Sequence, residues 1–163
     1  MDKPVTRIPK ELNHARKENM KIYLDNCCLN RPFDDQTQLR IRLESEAKLK
    51  VQEEIRAGKF QLAWSYILDY ENSKNPFQER RIRIGGWKKY AAQSIQESKE
   101  LLEKANCLNP VGLQKIDSLH IACAVLSECE YFLTTDDRIL KRADEIGDVK
   151  VADPIAFIKE VLS

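Results

Sequence analysis

Five cysteines are present, Cys27, Cys28, Cys107, Cys123 and Cys129, and they form no C-x-x-C pair. The count is odd and two are adjacent, so neither a disulfide framework nor a zinc knuckle is expected. They read as reduced thiols packed as small apolar groups. Histidine is confined to His14 and His120. With no third histidine and no neighbouring pair, a His-rich transition-metal site is not expected. Long apolar runs are missing too: a stretch free of Lys, Arg, Asp and Glu, such as Ser118 to Ser127, reaches ten residues, whereas a membrane span needs roughly 18 to 20. The chain also lacks a dominant charge, because 27 Lys and Arg nearly balance 26 Asp and Glu, leaving +1. No polybasic field is available to draw in nucleic acid from a distance.

What remains is an ordinary globular balance, 33% charged and 42% hydrophobic over 163 residues, enough for one domain with its own core. The polar N-terminus lacks the apolar segment of a secretory signal, so a cytoplasmic protein is expected. Residues 1–19 read as a polar, disordered extension, or as sequence before a natural start at Met20. Residues 20–163 read as a single domain.

Strand-like and helix-like segments alternate. Lys21 to Leu24 predicts a first strand ending at Asp25, and Arg31-Pro32 to Asp35 a loop. Between Gln38 and Ala57 apolar residues recur every fourth position (Leu39, Leu43, Ala47, Val51, Ile55), which predicts an amphipathic helix stopping near Gly58. A second strand is expected over Phe60 to Tyr66, then a short helix to Ser73. A helical stretch follows from Phe77, broken at Gly85-Gly86, and another runs from Trp87 to Ala105. Ile116 to Leu126 is apolar on nearly every side and predicts an interior helix. Tyr131 to Thr135 reads as a strand, Arg138 to Ile146 as a helix, Val149 to Ala152 as a last strand, and a closing helix starts at Pro154. Such alternation implies an α/β fold with a mostly parallel sheet, because parallel neighbours need crossover helices.

In open parallel sheets ligands bind beyond the carboxyl ends of the strands. Asp25 follows the first strand, and Asp136 with Asp137 follows the Tyr131 strand. Asp117 opens the apolar helix, where an isolated carboxylate is costly to bury. Asp69 and Glu71 lie just past the second strand. Each acid has an ordinary explanation: Asp25, Asp117 and Asp136 as turn or helix caps, Glu71 as a solvated side chain. Together they describe a cluster that repels itself unless a divalent cation neutralises it. Oxygen ligands without His or Cys point to Mg²⁺ or Mn²⁺. Such an ion lowers the pKa of bound water and stabilises charge on a phosphoryl oxygen, as phosphodiester hydrolysis requires.

Three segments, Ile22-Tyr23-Leu24-Asp25-Asn26, Asp117-Ser118-Leu119-His120-Ile121-Ala122 and Leu133-Thr134-Thr135-Asp136-Asp137, resemble the signature stretches of PIN-domain ribonucleases, including the VapC-like toxins of toxin-antitoxin pairs. The resemblance spans about residues 20–163. It implies an α/β/α sandwich about a mostly parallel sheet and Mg²⁺- or Mn²⁺-dependent endoribonuclease activity. Carried over by position, it implies Asp25, Glu71, Asp117 and Asp136 as catalytic metal ligands, with Asp69 an alternative to Glu71. Asn26, Thr134 and Asp137 would support them. An antitoxin protein and a homodimer are family-level expectations. Asn26 departs from the Ser or Thr that commonly follows the first acid, and the long charged segment Asn75 to Lys104 departs from the usual helical hairpin.

Arg80, Arg81, Arg83, Lys88 and Lys89 cluster around Trp87, a pattern suited to holding RNA phosphates and stacking a base or, more plainly, to a solvated helix face over one core tryptophan. His120, three residues after Asp117, reads either as a hydrogen-bonded core histidine or as a general base. Two rival enzyme classes fit poorly: phosphoaspartyl hydrolases need D-x-D where Asp25-Asn26-Cys27 stands, and a receiver domain needs an acidic pair that Asp34-Asp35 supplies too late. A non-catalytic PIN-like module that binds RNA or protein is the remaining alternative.

Overall fold

The computed structural model describes residues 19–162; the expected extension over residues 1–19 falls almost wholly outside them. Five short strands form one sheet: β1 (Lys21–Leu24), β2 (Gln61–Ser65), β3 (Ala91–Ile95), β4 (Tyr131–Leu133) and β5 (Lys150–Ala152). The spatial order is β3-β2-β1-β4-β5 and every pairing is parallel. The chain starts in the middle, builds outward through β2 and β3, then crosses back to lay β4 against the other side of β1. The order therefore reverses at β1, the position where a crevice opens at the carboxyl ends of the strands.

Among the described residues there are eight α-helices: α1 (Asn26–Asn30), α2 (Leu39–Arg56), α3 (Tyr66–Ser73), α4 (Gln78–Gly85), α5 (Lys99–Cys107), α6 (Lys115–Leu126) and α7 (Asp137–Leu140), which lie between strands and supply the crossovers, and α8 (Pro154–Val161), which closes the chain after β5. Helix α2 packs with α8, and α5 packs with α6, which also lies against β2 and β4. The result is an α/β/α sandwich. The central strands read as near-continuous apolar runs because both faces of the sheet are covered: Ile22, Tyr23, Leu62, Trp64 and Phe132 are all fully buried. Phe157 of α8 sets its edge against Phe60 and Tyr131, at 5.5 and 4.8 Å between ring centroids. Helix α6 is interior, as its composition implies, with Ile121, Ala122, Cys123 and Ala124 at zero exposure. None of the described helices is long and apolar enough to cross a membrane.

Two expectations need correction, besides the helix expected over Arg138 to Ile146, which is α7 (Asp137–Leu140) followed by a separate 3₁₀ turn at Ala143–Glu145. The stretch from Trp87 to Ala105 is not one helix. Gly86–Tyr90 is a 3₁₀ turn, Ala91–Ile95 is strand β3, and α5 begins only at Lys99. β3 is an edge strand whose middle residues are exposed, and only Ile95 in it is β-branched, so neither alternation nor composition marked it. Its pairing with β2, through a register shift at Leu62/Ala63, makes it a strand.

The second concerns the buried face of α2. Leu39 and Leu43 are 59% and 44% exposed, while Glu44, Ser45, Lys48, Val51, Gln52 and Ile55 are the buried positions. Apolar residues spaced by four drift about 40° around the helix at each step, so the stripe meets the core only at its C-terminal half. The N-terminal half is anchored by polar contacts instead. Glu44 Oε1 accepts from Arg31 Nη2 at 3.0 Å and lies 3.3 Å from Arg40 Nε.

Candidate active site

Asp25 ends β1 and caps α1: its backbone is extended, and Oδ1 accepts from the Asn26 amide at 2.8 Å. Oδ2 accepts from the Thr134 hydroxyl at 2.8 Å and from Cys27 Sγ at 3.4 Å. The β1–β4 pairing makes this possible, because Leu24 lies opposite Leu133 and the residues just beyond each strand meet. The carboxylate is 5% exposed, yet every contact made to it is a donor.

Helix α3 begins at Ser65, whose hydroxyl accepts from the Leu68 amide at 3.1 Å. Glu71, nearly two turns along, comes up beside Asp25. It accepts from Asn26 Nδ2 at 3.3 Å and makes a short contact with His120 Nε2. His120 sits on α6 with no exposed surface, its Nδ1 2.6 Å from the Tyr23 hydroxyl. That hydroxyl is also 2.6 Å from Ser65 Oγ. Asp25, Glu71 and His120 thus each offer a ligand atom within 4.8 Å of the others.

Asp69, the alternative to Glu71, is engaged elsewhere. It accepts from the Trp64 indole at 2.9 Å and from Lys88 Nζ at 2.9 Å. Two residues along a helix place a side chain on a different face, so only one of the pair can look toward Asp25.

Asp117 lies one helical turn before His120 on α6 and is 9% exposed. Burial, then the charges of Asp25 and Asp136, push its carboxyl up to about 6. Asp25 and Asp136 therefore lie within electrostatic reach of Asp117, but neither Asp117 nor Asp136, both expected as metal ligands, joins the group of ligand atoms within 4.8 Å of one another. Asp136 caps α7 through the Arg138 amide at 2.9 Å, and Arg138 Nη2 lies 3.0 Å from its Oδ2. That hydrogen-bonded guanidinium holds Asp136 below the usual carboxylate range. Asp137 turns away and pairs with Arg40 at 2.8 Å. Thr134 bridges two acids, donating to Asp25 and accepting from the Asp136 amide at 3.1 Å.

The basic segment does not gather into one patch. Arg80 alone of the six residues shares a depression with Glu71, a space of 290 Å³ also lined by Asn26, Asn30 and Lys74. Its guanidinium is held by Asp34 at 3.0 Å and lies 4.7 Å from the Phe77 ring centroid. Arg81 donates to the Asn75 carbonyl, Arg83 pairs with Glu79, and Lys88 pairs with Asp69. Trp87 and Lys89 line a separate cavity together with Arg83.

A donor set of two carboxylates and an imidazole fits a divalent cation, with one amendment. Sequence reasoning expected oxygen ligands only, whereas the geometry puts an imidazole nitrogen among them, a mixture that Mn²⁺ accepts more readily than Mg²⁺. The i, i+3 spacing of Asp117 and His120, which places both on one helix face, was the signal for it. Tyr23 and Ser65, which orient the imidazole, carried no such signal, since each also reads as plain strand composition.

No family model matches the sequence, and no curated protein matches it. Among solved structures the chain is similar to one described as the crystal structure of VapBC2 from Rickettsia felis bound to a DNA fragment from their promoter. The match has 16% identity and a TM-score of 0.53, and covers 82% of this chain and 98% of that one. At that identity the likeness is one of fold, and it bears out the α/β/α sandwich with a parallel sheet.

Proposed function

We propose that the chain from residue 20 onward is a PIN-like, metal-dependent endoribonuclease that hydrolyses phosphodiester bonds of RNA. The observation that carries this reading is the meeting of Asp25, Glu71 and His120 within 4.8 Å, beyond the carboxyl ends of β1 and β2, with Asp117 close enough to feel Asp25 and Asp136. Asp25 and Glu71 come from separate segments, and two carboxylates brought this close repel each other unless something cationic sits between them.

Asp25, Glu71 and His120 would hold Mn²⁺ or Mg²⁺, with Asp117 adding negative charge beside them and Asp136 released from Arg138 to complete it. The cation would supply neutralisation of the cluster and stabilisation of charge on the scissile phosphate. The chain's own residues do the rest. Thr134 fixes the rotamer of Asp25, and Asn26 holds Glu71. Tyr23 orients His120, whose Nε2 is then placed to exchange a proton with Glu71. Arg80 and Lys74, lining the same depression as Glu71, are placed to meet a phosphate of the strand.

The fold shared with VapBC2 supports a toxin role with an antitoxin protein as partner. Growth arrest on expression alone, relieved by a neighbouring gene product, tests that role. A second reading, a binding module without catalysis, is favoured by one observation: Asp136 is already paired with Arg138 and Glu71 already hydrogen-bonded to His120, so two of the acids have protein partners. Isothermal titration with Mn²⁺, on the wild type and on Asp117→Asn, separates the two. Tight binding by the wild type that is weakened in the variant supports the nuclease. Equal binding by both, or none by either, removes it.

A further inference from the structure

The 390 Å³ cavity between α1, α2 and the Gly86–Tyr90 turn shares no lining residue with the acid cluster. Its lining includes four cationic side chains, those of Lys48, Arg56, Arg83 and Lys89, and no Asp or Glu among the described residues. Arg83 has an exposed partner, Glu79, at 3.2 Å. Lys48 does not. Its side chain is on the buried face of α2, 3% exposed, and no described carboxylate pairs with it. An unpaired buried ammonium is among the costliest groups a fold can carry. One turn along, Gln52 is also 3% exposed, and its Nε2 is a buried donor with no hydrogen-bond partner.

Two nine-tenths-buried donors therefore line one cavity, both short of an acceptor. Burial pushes the Lys48 ammonium down to about 7, and the neighbouring Arg56 charge adds to this. The rest of the lining is apolar or aromatic. Trp87 carries the Arg56 guanidinium at 4.9 Å from a ring centroid and Lys48 Nζ at 6.0 Å, and Tyr90 lies 5.0 Å from Trp87, centroid to centroid. Ligand sites of this kind, roughly 300 to 1,000 Å³ with apolar walls and a few convergent polar groups, suit an organic molecule with one charged end.

We propose that this cavity is a binding site for a nucleoside monophosphate, with the phosphate taken by Lys48, Gln52 and Arg56 and the planar base set against the Trp87 and Tyr90 wall. The assignment is independent of the nuclease reading. A phosphate offers the charge that Lys48 lacks and the acceptor oxygens that Gln52 lacks. A base accounts for the aromatic wall, which a bare inorganic anion would leave unused.

The test is isothermal titration of the full chain with AMP, inorganic phosphate and adenosine at low salt in the presence of EDTA, so that the acid cluster cannot contribute through a metal. The expected result is one saturable site for AMP, at least tenfold weaker binding of inorganic phosphate, and no binding of adenosine. Lys48→Met should weaken AMP at least tenfold while the variant still melts cooperatively. Arg83→Ala, whose side chain is 66% exposed, should weaken it severalfold. Absence of AMP binding at millimolar concentration, equal affinity for AMP and inorganic phosphate, or full affinity in both variants would each overturn the assignment. RNA cleavage measured on the same variants reports separately on the acid cluster.

Discussion

The Tyr23 hydroxyl lies 2.6 Å from His120 Nδ1, joining the central strand to the interior helix at the floor of the acid cluster. Because Nδ1 is committed there, Nε2 is the imidazole atom left to face Glu71 and Asp25, from whose Oδ1 it is 3.9 Å distant. Tyr23→Phe removes this anchor while keeping the ring stacked on Phe132. A buried nitrogen is left without its partner, so stability should fall by about 1 to 3 kcal/mol. Mn²⁺ affinity should fall by about tenfold, as when a group orienting a ligand is lost. Thermal melting and metal titration read the two effects; unchanged metal affinity would mean that His120 is oriented by Glu71 alone.

Asp25→Asn and Asp117→Asn should each lower RNA cleavage by several hundredfold, on the order of 4 kcal/mol in transition-state stabilisation. Single-turnover cleavage of a short fluorogenic RNA measures it. Cleavage retained in either variant would place the reaction elsewhere.

Glu71→Gln and Asp69→Asn distinguish the two acids of α3. Glu71 touches Asn26 and His120, whereas Asp69 holds the Trp64 indole and Lys88. The first substitution should abolish Mn²⁺ binding. The second should leave it intact and change stability by no more than about 1 kcal/mol, since asparagine still accepts from the indole and the Lys88 pair is a surface one.

The raised Asp117 carboxyl predicts a pH signature in the metal-free protein. Below about pH 4 the group is protonated in both folded and unfolded chains and costs nothing. Between about 4 and the folded value of about 6 only the folded chain keeps the proton, so this group's contribution falls as pH rises, and above that the penalty is complete. Asp117→Asn should therefore be more stable than wild type at pH 7, by on the order of 2 kcal/mol, and the gap should close toward pH 4. Excess Mn²⁺ at pH 7 should reverse the order, because only the wild type gains binding free energy. Melting curves at several pH values give both comparisons.

Lys48 predicts the opposite slope. Its ammonium is pushed down to about 7 in the fold from an unfolded value near 10.4. Below pH 7 both states are charged and the burial penalty is complete. From about 7 to 10 the folded chain has lost a proton that the unfolded chain still holds, so stability rises with pH. Lys48→Met should be more stable than wild type at pH 6.5 by roughly 1 to 4 kcal/mol, and this advantage should shrink toward pH 10. A constant difference across that range would show that Lys48 stays charged in the fold, its ammonium not pushed down by burial.

The interior character of α6 was plain from its sequence, because a helix apolar on all sides has nowhere else to go. Asp25 and Asp136 were placed at strand ends by the same local logic, and both do cap helices; capping takes one oxygen, and the second is met by Thr134 and Cys27 in Asp25 and by Arg138 in Asp136. What local patterning misjudged was β3 and the buried face of α2. β3 has no apolar alternation to read, being held by one neighbour at the sheet edge. On α2 the buried positions include Glu44 and Lys48, whose burial depends on Arg31 and on the cavity beside Trp87.

By itself, then, the amino-acid order determined the alternation of strands and helices, the parallel sheet that follows from it, and the strand-end positions of the acids. These rest on periodicity and capping, which act over a few residues. Only the tertiary structure decided that Glu71 rather than Asp69 stands beside Asp25, that His120 joins them, and that the basic segment is scattered rather than gathered into one patch. Those outcomes depend on how helices roll and how strands register across tens of residues of chain, where side-chain packing is decisive and local spacing carries no information.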